Sequence, residues 1–111
     1  HIIYCKDTAG IRIGINLSEL LLVETNGRKL RYRMLDGREH FCEGRISETA
    51  KSLADFGFFY IQRSYIVNLK YIERVNSREI MLCNGLEIAI GRVHSREFKK
   101  EFFKWRMLFD D

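Results

Sequence analysis

The side chains in this sequence best suited to chemistry are cations standing where the apolar pattern breaks. Arg28 and Lys29 follow Asn26-Gly27, Arg63 sits between Gln62 and Ser64, Arg78 lies within Asn76-Ser77-Arg78-Glu79, and Arg92 follows Gly91. Asn, Gly and Ser are residues that tolerate or stabilise turn backbone, so each cation is placed at a bend. A guanidinium is a planar fork that can meet a phosphate, or the O6 and N7 atoms of guanine, with two parallel hydrogen bonds, whereas Lys acts as a point charge. Gln62 carries a donor and an acceptor side by side, which match N6 and N7 of adenine. Covalent chemistry finds no comparable support. No nucleophile–base pair, carboxylate pair or phosphate-cradling glycine loop occurs at usable spacing; Gly85 and Gly91 fall in a hairpin context. His1, His40 and His94 are scattered, and Cys5, Cys42 and Cys83 are far apart and odd in number, so neither a zinc site nor a disulfide framework is signalled. The sequence therefore predicts no catalytic residue, no metal and no cofactor, with the thiols reduced.

Composition narrows the class of partner. The 111 residues suit one domain, and 46% hydrophobic residues with 13% aromatics can build a core that 31% charged residues can cover. A net charge of +4, from 19 Lys and Arg against 15 Asp and Glu, with a pI near 9.1, favours an anionic partner. No apolar run approaches the roughly 18 residues of a membrane span, and no signal peptide opens the chain, so a cytoplasmic protein with no membrane partner is expected. Beginning at His1 without Met, the sequence reads as a fragment of a longer protein.

The elements that must hold these cations centre on Phe58 to Ile72, FFYIQRSYIVNLKYI. Phe59 and Ile61 alternate with Tyr60 and Gln62, as in a strand; Gln62-Arg63-Ser64 interrupts, and Tyr65-Ile66-Val67 resumes the apolar run before Asn68. Short rigid strands on both sides of a polar corner determine where that corner points. An isolated Gln-Arg-Ser is more often a solvated bend between core strands. A downstream hairpin through Asn84-Gly85, followed by Gly91-Arg92 leading into a helix, shifts the reading toward a contact residue. Asn68 and Ser64 are expected to bond local backbone.

This run resembles the LytTR-type DNA-binding domain, the output module of LytR/AgrA-family response regulators, whose pattern reads roughly F-x-R-[IV]-H-[RK]-S-[FY]-[IV]-V-N-L-x-x-I before a hairpin and a small-residue–Arg step. Glu19-Leu20-Leu21-Leu22-Val23-Glu24 looks like the family's I-x-Y-I-E strand, and the resemblance covers about Leu17 to Val93. Two positions depart from the pattern: Gln62 stands where the family usually has His, and Tyr60 where Arg is frequent. The resemblance implies a mainly β fold of stacked small antiparallel sheets, with one short internal helix and a C-terminal amphipathic helix. It also implies that the loops carrying Lys29, Arg63 and Arg92 meet successive grooves on one side of a duplex, and that a receiver or sensor domain precedes them in the full-length protein. Homodimerisation on DNA is a further expected arrangement.

The rest of the chain is consistent with that architecture. Ile2 to Lys6 and Ile11 to Ile15 alternate as two strands joined across Asp7-Thr8-Ala9-Gly10. Taking Asn26-Gly27 and Asp36-Gly37 as two-residue turns puts Val23 opposite Leu30, Leu21 opposite Tyr32 and Tyr32 opposite Phe41. The other face of that meander then carries Arg31 and Arg33 with His40 and Cys42, as either a wet surface or one neutralised by phosphates. Ile46 to Phe56 is predicted as an amphipathic helix, with Ser47 as N-cap and Gly57 as terminator. A two-residue turn at Asn84-Gly85 groups Met81 and Cys83 with Leu86 and Ile88, leaving Ile80 and Leu82 on a second covered face. Phe98, Phe102, Trp105 and Phe109 recur at helical spacing, and their stripe is expected to cap the domain's own core.

Two functions compete. In the first, Arg28, Lys29, Gln62, Arg63, Arg78 and Arg92 contact double-stranded DNA in a sequence-specific transcriptional regulator. In the alternative, the C-terminal aromatic helix is a docking face for protein interaction or dimerisation, and the basic loops are incidental.

Overall fold

The run Leu20-Leu21-Leu22-Val23 is too continuous for a strand with one wet face, and all four residues are buried in the computed structural model, which describes residues 1–107. The strands are β1 (Ile2–Lys6), β2 (Arg12–Asn16), β3 (Leu20–Asn26), β4 (Lys29–Met34), β5 (Glu39–Cys42), β6 (Phe58–Gln62), β7 (Tyr65–Asn68), β8 (Ile72–Val75), β9 (Glu79–Leu82) and β10 (Glu87–Ala89). Helices α1 (Ile46–Leu53) and α2 (Ser95–Met107) complete the fold. The central sheet has the order β5-β4-β3-β7-β6, with a two-stranded β1-β2 sheet and a three-stranded β10-β9-β8 sheet beside it.

Side-chain alternation then divides the core in two. On one face of the central sheet Val23, Leu30, Tyr32, Phe58 and Ile66 pack with Ile15 of β2 and Leu53 of α1. On the other, Leu22, Ile61 and Val67 meet Ile80, Leu82 and Ile88 of the three-stranded sheet and Phe98 of α2. The result is the expected stack of small antiparallel sheets with a short internal helix and a C-terminal helix. Asn68 locks the junction: its side-chain amide donates to the Leu20 carbonyl at 2.9 Å, and its oxygen accepts from Lys70 N–H at 3.1 Å.

Three turns differ from the sequence expectation. Asn26 pairs with Lys29, so the first loop is Gly27-Arg28, and Val23 faces Tyr32 rather than Leu30. Gly27 has φ +63° while Arg28, like every described non-glycine residue, does not have positive φ, the pattern of a turn with glycine at its first central position. The Asp36-Gly37 and Asn84-Gly85 turns each take one residue more than expected. In both, the glycine adopts positive φ and donates its N–H three residues back, Gly37 to Met34 and Gly85 to Leu82, as in a three-residue hairpin loop. One extra residue exchanges the faces of the strand that follows. Cys42 and His40 therefore lie opposite Leu30 and Tyr32, while Phe41 and Glu39 oppose Arg31 and Arg33. Ile80 and Leu82 share one buried face with Ile88, so this hairpin is covered on one side, and Cys83 is exposed in the loop.

The first helix is also corrected at its start. Arg45, not Ser47, is the N-cap, without a side-chain cap bond. Gly44, at φ +143°, turns the chain sharply after β5, so that Ile46 already lies in the first helical turn against the core. Its end is as expected, with Ala54–Phe56 tightening into a 3-10 turn and Gly57 stopping it at φ +82°. In α2, Phe98 is fully buried with its ring 5.4 Å from that of Phe59, and Phe102 and Trp105 pack on the same cluster. The aromatic stripe thus packs on its own domain; Phe109 lies outside the described residues. Phe98→Ala is expected to lower stability by about 3–5 kcal/mol, and Phe103→Ala, at a side chain 67% exposed, by less than about 0.5 kcal/mol. Urea unfolding midpoints of the two variants check this.

Candidate nucleic-acid interface

The antiparallel order brings the β3–β4 turn and the β6–β7 turn to the same end of the central sheet. Gln62 pairs with Tyr65, so Arg63 and Ser64 are the two central residues of a tight hairpin. Backbone bonds then tie neighbouring loops to this corner. Thr25 N–H, beside the first turn, donates to the Ser64 carbonyl at 3.1 Å, and Gly91 N–H donates to the Ile61 carbonyl at 2.9 Å. Ile90 N–H donates to the Arg78 carbonyl at 2.8 Å, which brings in the β8–β9 turn. Gln62 adds a side-chain tie, its amide nitrogen donating to the Ala89 carbonyl at 3.2 Å.

A small residue suits the tightest of these contacts. A Cβ on Gly91 would lie 3.3 Å from the Ile61 carbonyl oxygen, 3.3 Å from Gln62 Cβ and 3.1 Å from the His94 ring. Tyr60 braces the same corner, its hydroxyl donating to the Arg63 carbonyl at 3.1 Å and its ring 5.5 Å from that of His94. The tyrosine that replaces a frequent family arginine is therefore a strut between two loops.

The structure brings the expected site residues to one edge, in different states. Arg28, Arg63, Arg78 and Arg92 are exposed. Among the described residues no carboxylate lies within ion-pair distance of any of the four. Lys29 is half-buried and 3.9 Å from Glu43, a partly exposed pair of little energetic weight. Gln62 is half-buried and engaged with Ala89.

Arg31 and Arg33 belong to a different arrangement, and the wet or phosphate-neutralised face expected for them is replaced by an internal carboxylate. Glu24, only 5% exposed, accepts from Arg31 Nε and Nη2 at 2.6 Å, while Arg33 Nη1 stands 3.5 Å away. Arg31 also reaches Glu39 at 3.7 Å. Burial pushes the Tyr65 phenol above its ordinary pKa, and the adjacent Glu24 carboxylate adds to the rise. Glu24 faces Arg31 in the true register; the register expected from the sequence would have placed it opposite Lys29, which hid the pair. A cavity of about 470 Å³ lies between Gly57 and α2, and its rim carries Asp55, Glu97 and Glu101 against Lys104 alone, so its charge is mainly negative. That charge is unsuited to a polyanion.

The chain belongs to the LytTr DNA-binding domain family, which matches residues 12–103. Domains of this family bind DNA and are typically the output domains of response regulators. A solved LytTr DNA-binding domain from a Bacillus cereus response regulator superposes with a TM-score of 0.74 over 90% of this chain and 94% of that one, at 20% identity. No curated protein matches the chain significantly. Among the described residues no helix is long and apolar enough to cross a membrane.

Glu24→Gln is expected to cost about 1–3 kcal/mol, because it weakens charge-assisted bonds around a nearly buried group. A urea unfolding midpoint unchanged from the parent would show that Arg31 and Arg33 need no internal counter-charge.

Proposed function

We propose that this domain reads double-stranded DNA sequence-specifically through side chains projected from one end of a β scaffold. Arg63 and Arg92 lead that reading, and Arg28, Lys29 and Arg78 add phosphate or base contacts. The observation that carries this proposal is that main-chain hydrogen bonds join the turns bearing four exposed arginines, none of which has a carboxylate partner among the described residues. Charges that a protein leaves unpaired and rigidly mounted are available to an outside anion without first breaking an internal pair. Holding them on rigid turns also reduces the entropy lost on binding. Gln62, with one N–H given to Ala89, retains a second N–H and a carbonyl oxygen for an adenine edge.

In the cell the domain serves as the output part of a transcriptional regulator, joined to a receiver or sensor domain. The docking alternative loses support because the aromatic face of α2 is occupied by its own core. Selection from a random duplex pool tests DNA binding and specificity together, and recovery of no enriched sequence would contradict the proposal. On a selected duplex, Arg63→Ala and Arg92→Ala should each lose about 1–3 kcal/mol of binding. Affinity should fall with rising salt, with a logarithmic slope of about −0.9 for each phosphate contacted. Parent-like binding by both variants would refute the assignment of these contacts.

A further inference from the structure

The most exposed large apolar side chain among the described residues is Val93, at 90%. It stands at the cationic edge, directly after Arg92. Scattered exposed apolar residues are ordinary and need no function. Val93 differs in how it is held. Residues Gly91 to His94 form a closed turn in which His94 N–H donates to the Gly91 carbonyl at 3.0 Å, while Gly91 N–H is fastened to Ile61. The His94 ring rests on Tyr60. Both ends of the turn are anchored, and its two central residues, Arg92 and Val93, are exposed. A β-branched side chain with a stiff χ1 loses little rotamer freedom on contact.

We infer that Val93 is a specificity-determining residue that packs on the C5-methyl group of a thymine next to the base or phosphate met by Arg92. The inference rests on the duplex-binding reading above. In the major groove the thymine methyl is the one apolar mark on a base edge, and small apolar side chains recognise it by contact. A cation beside a rigid apolar residue would distinguish a guanine–thymine neighbourhood more sharply than the cation alone.

The test uses a duplex selected from a random pool by the unaltered chain, with each thymine in turn replaced by deoxyuridine, which removes only the methyl group. At one thymine the replacement should weaken binding by about three- to fivefold, the effect of uncovering one methyl-sized group. Val93→Ala should lose a similar factor on the unmodified duplex and be insensitive to the replacement, with its thermal midpoint unchanged. Val93→Thr, which keeps one methyl and the branched shape, should retain part of the discrimination. If the chain binds its selected duplex but no deoxyuridine weakens it, or if the loss persists in Val93→Ala, the inference falls while duplex binding stands. A selected site with no thymine near the Arg92 contact also overturns it. Failure to select any duplex removes both readings.

Discussion

The close approach of the Gly91 backbone to the end of β6 is the constraint on which the rest of this surface depends. Three covalently distant segments meet there: the corner carrying Arg63, the step carrying Arg92 and, through Ile90, the turn carrying Arg78. Each is short and polar, and alone would be a mobile loop. Main-chain bonds of 2.8 to 3.1 Å among them, with Thr25 linking the first hairpin, turn separate loops into one rim. Such bonds restrict the loops in the free protein, so less order must be imposed when a partner arrives. The missing side chain at residue 91 eases the approach, since a Cβ there would lie 3.3 Å from the Ile61 carbonyl oxygen, tighter than an ordinary contact.

A second constraint separates structural from available charge. Arg31 and Arg33 are neutralised within the protein by the nearly buried Glu24, and Glu39 completes the group. This group joins β3, β4 and β5 of the central sheet through their side chains. Removing one member of such a group is more costly than the net worth of the group suggests, because the others are left poorly satisfied. The rim arginines have no such partner among the described residues. Arg31 and Arg33 are thus committed to internal carboxylates, whereas the exposed rim arginines can meet an external anion without first breaking an ion pair.

Much of this was legible in the residues themselves. The Phe58–Ile72 run disclosed two strands and a polar corner, and the change to helical spacing after Val93 disclosed α2, because hydrophobic period is a local property. Family resemblance supplied what local pattern could not, namely that distant basic turns belong to one surface. Register was the weak point. Asp36-Gly37 and Asn84-Gly85 look like two-residue turns, yet in each the residue before the pair joins the loop, and a single added residue reverses every facing after it. Cys83, expected within a hairpin face, is exposed for that reason, and the Glu24–Arg31 pair was hidden by the two-residue shift at Gly27-Arg28. Tyr60 and His94 were invisible as struts, since nothing in sequence spacing brings residues so far apart into contact.

The most direct test of a single cationic rim is a two-dimensional NMR titration of backbone amides with a selected duplex. The largest shifts should cluster at residues 27–29, 62–64, 77–79 and 91–94. The opposite end of the sheet, around residues 35–37 and 69–71, should stay nearly silent. Shifts concentrated at that opposite end, or along the outer face of α2, would contradict a single cationic rim.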